Sequence, residues 1–171
     1  MLLSTSELQQ MVRQGLLTEL TEDAIKGTSI DVRLGSGLLV ETKTTAGRQI
    51  LVAGRDKLHC KLVTLSDTVK FYMEPGCFLL AALVERITLP STVTAKFYLS
   101  STLARLGLEH SAAISIKPGW EGILTLELKN VSQYHTVVLT KDMAIGCLEF
   151  TQHNPGDVYA GKYTQQEEVS G

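Results

Sequence analysis

Apolar residues along the chain recur with two different periods. Near the start, Ser4-Thr5-Ser6-Glu7 fits a capping box, and Leu8, Met11 and Val12 follow at helical spacing. This predicts a helix over about residues 5–14, ended near Gly15. Beyond it the period falls to two. Ser29 and Asp31 alternate with Ile30 and Val32, Val93, Ala95, Phe97 and Leu99 alternate next, and Ile123–Leu128 sets three leucines against Ile123, Thr125 and Glu127. The run from Cys77 to Val84 is apolar throughout, which suits a strand buried on both faces or against a neighbouring subunit. Val137–Leu139 and Ile145–Phe150 predict two more strands around a Lys141-Asp142 turn. Met73–Gly76, Leu89-Pro90 and Lys117–Gly122 punctuate these runs. Many short strands with few helices predict an all-β barrel or sandwich, without internal repeat or dividing linker. Residues 38–69 read as short strands and polar turns, the least informative part.

Composition narrows the class without naming a function. At 171 residues, with 44% hydrophobic and 20% charged positions, one domain with a full core is expected. No apolar run reaches the length of a membrane span, and no basic region precedes an apolar stretch at the N-terminus, so a cytoplasmic protein is expected. Cys60, Cys77 and Cys147 are odd in number and set in apolar segments, as reduced core thiols would be. His59 beside Cys60 has no further His or Cys at metal-ligand spacing and reads as a strand histidine. The net charge of −2 offers no general pull on nucleic acid or anionic lipid, so an anionic ligand needs a local basic cluster.

Candidate chemistry concentrates between Ser100 and Glu127. Ser100, Ser101 and Thr102 precede Leu103-Ala104-Arg105-Leu106, and Gly107 predicts the end of a helix of barely two turns. Hydroxyls and free N–H groups at that start suit a phosphate, and Arg105 lies one turn inside. An ordinary capped turn with a solvated arginine is the alternative. Lys117–Gly122 carries the only Trp of the chain, Trp120. On the following strand Glu127 points away from the leucines, as a solvated residue or as a base in a pocket.

The segments SSTLARLG, IKPGW and TLELKN, in this order, resemble the dCTP deaminase and dUTPase superfamily, whose pattern is SSLARLG-like, IDPGW-like and TLEL-like with an Asn after it. The likeness extends to TSIDVRLG, to the PG–strand–LP–strand succession, and to a tail, Tyr159–Gln166, similar to the family's YxGKYxxQ-like segment. It implies a distorted β-barrel or jelly-roll-like domain with a short N-terminal helix over residues 1–156, and a tail at 157–171 acting as a lid over the nucleotide. It also implies a homotrimer with sites between subunits and a pyrimidine deoxynucleoside triphosphate as ligand. Mg²⁺ would escort the triphosphate, and no zinc would take part.

By that resemblance Glu127, Ser101 and Arg105 hold and activate water for attack on cytosine C4. Ser100, Ser101, Thr102, Arg105, Ala113, Lys117, Trp120, Thr125, Tyr159, Lys162 and Gln166 would contact the nucleotide, with Gln165 as an alternative register for the last. Zinc deaminases instead carry an H-x-E and a P-C-x-x-C segment, and neither occurs here. In the early strand, Asp31 and Arg33 read as fold-stabilising. Four positions depart from the family: Lys117 stands where it has the Asp that reads the sugar 3′-hydroxyl, Ser100 replaces an Arg, and Ile114-Ser115 replaces a His-Arg pair. A protonated Lys neither accepts a hydrogen bond nor takes a proton, which argues against the dUTPase route. The readings left open are a cytosine deoxynucleotide deaminase, a nucleotide-binding regulator without turnover, and a dUTP pyrophosphatase or bifunctional enzyme.

Overall fold

The computed structural model describes residues 1–169 except Glu22, Ala46, Arg48, Ala112, Gly156 and Lys162. In chain order the elements are α1 (Thr5–Arg13), β1 (Leu17–Thr18), β2 (Ile25–Lys26), β3 (Ser29–Glu41), β4 (Cys60–Thr64), β5 (Phe71–Met73), β6 (Phe78–Thr88) and β7 (Val93–Leu99). There follow α2 (Ser101–Ala104), β8 (Leu108–His110), β9 (Ser115–Ile116), β10 (Glu121–Asn130), β11 (Val137–Leu139) and β12 (Ala144–Gln152). The all-β expectation with one N-terminal helix holds.

The capping box forms at α1, where both the backbone N–H and the hydroxyl of Ser4 donate to Glu7, at 2.8 and 2.6 Å. These bonds hold the Glu7 carboxyl below its usual range. Gly15, at φ +74, turns the chain out of the helix. Leu8 and Met11 anchor α1 on the sheet.

One curled sheet runs in the order β8-β10-β6-β3-β12-β7-β9, and β5 pairs separately with β11. Strand β3 is the hinge of the curl. Its first half, Ser29–Arg33, pairs with β12, while Gly37–Glu41 pairs with β4 and the register against β6 shifts between Leu34 and Leu38. The alternation read at Ser29–Val32 is real, with Ile30, Val32 and Leu34 fully buried. They meet Leu79, Ala81, Phe97, Leu126, Leu128, Leu148 and Phe150 in a core of 0% exposed side chains, where truncating one leucine to alanine costs about 2–5 kcal/mol.

Strand β6 lies between β10 and β3, and Leu79 to Leu83 are buried in succession. Cys77, Phe78 and Val84 at the ends of the apolar run are half-buried, while both faces are covered from Leu79 to Leu83. Two residues further on, Glu85 is 1% exposed and accepts from the backbone N–H and Nε of Arg33 at 2.9 and 3.0 Å. Burial pushes its carboxyl up despite the arginine. Arg33 thus serves the fold.

Several local expectations are corrected. Helix α2 is a single turn rather than nearly two, and its N-cap Ser100 makes no side-chain capping bond. His59 stands one residue ahead of β4, its Nδ1 2.8 Å from the Thr42 hydroxyl. All three cysteines are free but half-buried rather than in the core, and burial is the main cause that pushes each thiol up.

Candidate active site

Lys117 to Trp120 make a type II-like turn. Pro118 fixes φ at the second position, Gly119 takes φ +73 at the third, and Trp120 N–H donates to the Lys117 carbonyl at 3.2 Å. This turn feeds β10, which pairs antiparallel with β6 so that Glu127 lies opposite Leu80. The register slips between Ile123 and Thr125, a β-bulge. Its consequence corrects the sequence reading: Leu124 does not join Leu126 and Leu128 in the fully buried core, but is half-buried and lines a cavity with Thr125 and Glu127.

That cavity encloses about 650 Å³, within the range of small-ligand sites. Phe78, Leu80, Leu124 and Trp120 form its apolar wall, and Thr125 and Glu127 its polar floor. Gly54–Leu58, in a region the sequence left uninterpreted, forms another side. There Arg55 donates twice to Asp56, at 3.0 and 3.1 Å, which holds the Asp56 carboxyl below its usual range. Lys57 and Lys117 form no ion pair among the described residues, so their charge is available to an anion.

The C-terminal segment closes the remaining side. Tyr159 N–H donates to the Pro118 carbonyl (2.8 Å), Trp120 Nε1–H to that of Tyr163 (2.8 Å), and Gln165 N–H to that of Glu121 (2.6 Å). Ile123 N–H donates to the Gln166 carbonyl at 2.7 Å, and the Gln166 side-chain amide reaches the Thr125 hydroxyl. Arg86 ties the two runs together through Glu121 at 2.8 Å and Glu167 at 2.6 Å. Close backbone approach here requires glycine. A Cβ on Gly119 would stand 2.2 Å from Val158, and one on Gly122, at φ +144, 2.7 Å from the Gln166 nitrogen.

The candidate residues thus fall into two groups. Ala113, Lys117, Trp120, Thr125, Glu127, Tyr159 and Gln166 line the cavity, with Gln166 rather than Gln165 as the inward register. Lys162 lies outside the described residues. Ser100, Ser101, Thr102 and Arg105 do not line it. Instead α2 is pinned by buried Leu103 while Ser101, Thr102 and Arg105 are exposed, without side-chain hydrogen bonds among the described residues. Of the departures, Lys117 and Ser115 line the cavity and Ser100 does not.

One residue at this site was missed. His110, at the end of β8, sits with its side chain 4% exposed and Nε2 3.4 Å from Glu127 Oε2. Its ring meets Phe97 edge-on at 4.9 Å. Nothing local in LEHSAA signals this, because the neighbourhood arises from β8 pairing with β10, His110 opposite Leu128.

A family model described as dCTP deaminase-like matches residues 2–153. The chain is 34% identical over 161 residues to a dCTP deaminase of Shewanella sp. (strain ANA-3), covering 88% of this chain and 83% of that one. It is 32% identical over 161 residues to a dCTP deaminase of Actinobacillus pleuropneumoniae serotype 5b (strain L20), covering 88% and 82%. Among solved structures, 2′-deoxycytidine 5′-triphosphate deaminase from Agrobacterium tumefaciens superimposes with a TM-score of 0.68 at 22% identity, a likeness of fold. This covers 87% of the present chain but 47% of that one, so the chain spans about half the length of that structure. By the matched model and the identity along most of its length, the chain belongs to the dCTP deaminase-like family.

Proposed function

We propose that the protein hydrolyses the exocyclic amine of a cytosine deoxynucleotide, converting dCTP and water to dUTP and ammonia. Supporting this is the convergence of Glu127, Thr125, Trp120 and Gln166 on one cavity of nucleotide size, in a chain of this family. The base stacks within the Phe78, Leu80 and Trp120 wall. Glu127 takes a proton as water adds to C4, and delivers it to the amine as the C4–N bond breaks and ammonia leaves.

Ser101 and Arg105, which orient the water and offset charge in the transition state, come from α2 of a neighbouring copy. The exposure of Ser101, Thr102 and Arg105, without side-chain hydrogen bonds among the described residues, supports this arrangement, and a homotrimer is the assembly proposed. Ser100, Thr102 and Lys117 join in holding the phosphates, along with Lys57. Ala113 and Thr125 border the base, and residues 157–171 act as the lid through Tyr159, Lys162 and Gln166. Mg²⁺ enters as part of the substrate, bound to the triphosphate. No described helix is long and apolar enough to cross a membrane, and the proposed setting is the cytoplasmic nucleotide pool.

Incubation with Mg²⁺ and, separately, dCTP, dUTP and CTP, followed by chromatography of the products, tests the reading. Conversion of dCTP to dUTP is expected, and an unchanged dCTP pool contradicts it. The Lys117 and Ser100 departures favour a second reading, a nucleotide-binding regulator. It predicts saturable quenching of Trp120 fluorescence by dCTP with no product formed.

A further inference from the structure

We infer that His110 is a positioning residue for Glu127, donating from Nε2 to Oε2 so that Oε1 is presented to the cavity. The inference rests on the deamination reading for its kinetic consequence, but the contact itself stands on geometry. Pairing of β8 with β10 sets His110 opposite Leu128, and Nε2 comes within 3.4 Å of Glu127 Oε2. Both atoms are buried, and neither has a hydrogen-bond partner among the described residues. Buried polar atoms without partners are costly, and these two, a nitrogen able to donate and a carboxylate oxygen able to accept, lie 3.4 Å apart. A closure of about half an ångström brings them to ordinary hydrogen-bond length.

The two carboxylate oxygens differ in their surroundings. The Glu127 side chain is 32% exposed although Oε2 is buried, so its exposed part lies on the cavity side. A glutamate on a strand facing an open cavity has several staggered conformations, and a base must be held near its reacting water. His110 supplies that hold from behind. Its own ring is fixed by 4% exposure and by the edge-on packing of Phe97 at 4.9 Å and 72°.

A space-filling role for the ring makes the opposite forecast from a positioning role, and two substitutions in the full chain separate them. His110→Phe keeps an aromatic ring against Phe97 but removes the nitrogen, whereas His110→Gln loses the ring and keeps a polar atom near the Nε2 position. Positioning predicts that His110→Phe lowers kcat for dCTP by about 10- to 100-fold with KM unchanged, and that His110→Gln recovers most of the loss. Near-native kcat in His110→Phe with a larger loss in His110→Gln overturns the inference.

Imidazole nitrogen NMR reads the contact without turnover. Wild-type protein should show an exchange-protected Nε2–H for His110 that Glu127→Gln visibly shifts. An Nε2 signal indifferent to that substitution overturns the inference, whatever the kinetics. A protected and shifted signal in a protein that turns over no cytosine nucleotide supports the contact while refuting the deamination reading.

Discussion

The two halves of the candidate site are built in opposite ways. The cavity half is assembled from distant parts of one chain: the β10 bulge, the Gly54–Leu58 loop and the tail. The bulge strand and the tail are tied to each other by backbone hydrogen bonds and close glycine contacts, and the loop turns on bonds from the Arg55 and Asp56 N–H groups to the Val52 carbonyl. The α2 half is five residues of contiguous sequence, the helix and its C-cap Arg105, anchored by Leu103 alone among them, with Ser101, Thr102 and Arg105 facing outward. One half is enclosed and partnered, while the hydroxyls and guanidinium of the other make no side-chain hydrogen bond among the described residues. Polar groups exposed at the end of a rigid strand cost little to the monomer and are free to complete a site elsewhere. The contrast teaches that adjacency in sequence, which made Ser100–Glu127 look like one site, is not adjacency in the folded chain.

The sharpest break between the halves should come from Glu127→Gln. Loss of the base predicts a fall in kcat of about 10³-fold or more, with dCTP affinity by Trp120 fluorescence largely unchanged. Turnover equal to wild type would remove Glu127 from the reaction. Next comes Arg105→Ala. An exposed residue with no side-chain partner among the described residues should leave thermal stability within about 0.5 kcal/mol of wild type. If it completes another copy's site, kcat should nevertheless fall about 10²-fold. Unchanged kcat would return Arg105 to the role of a solvated side chain.

The tail offers a smaller effect on the cavity half alone. Ending the chain after Gly156 removes the cover over Trp120 and the Arg86–Glu167 pair. A rise in KM of about tenfold is expected, equivalent to about 1.4 kcal/mol, together with red-shifted Trp120 emission. Kinetics identical to the full chain would show that the segment is no lid. Smallest is Lys117→Asp, which should raise the preference for dCTP over CTP by several-fold, as an acceptor replaces a cation beside the sugar. A constant preference would set Lys117 away from the ribose.

Much of this architecture is legible in the sequence because it rests on local rules. The capping box at Ser4, the Pro118-Gly119 turn and the period-two runs each express a steric or burial constraint within a few residues. Glu127 could be placed on a non-core face for the same reason. What escaped depends on register between distant strands. The slip after Ile123 moves Leu124 into the cavity wall, and the β8–β10 pairing brings His110 to Glu127 across seventeen residues of sequence. Arg55 and Lys57 escaped too, since a polar loop without periodicity gives no sign of which surface it will cover. The outward aim of α2 was hidden for a different reason, because its hydroxyls look the same whether they serve their own chain or another.

The most direct test of a site divided between copies is complementation. Glu127→Gln and Arg105→Ala, each inactive or nearly so alone, are co-expressed in equal amounts under separate tags, and mixed assemblies are purified and assayed with dCTP. In a trimer whose sites join one chain's cavity to a neighbour's α2, every mixed assembly holds one interface with both halves intact. The purified mixed trimers should then show roughly a third of wild-type activity. Activity no higher than the sum of the two variants would contradict a shared site and put Glu127 and Arg105 to work in the same chain or not at all.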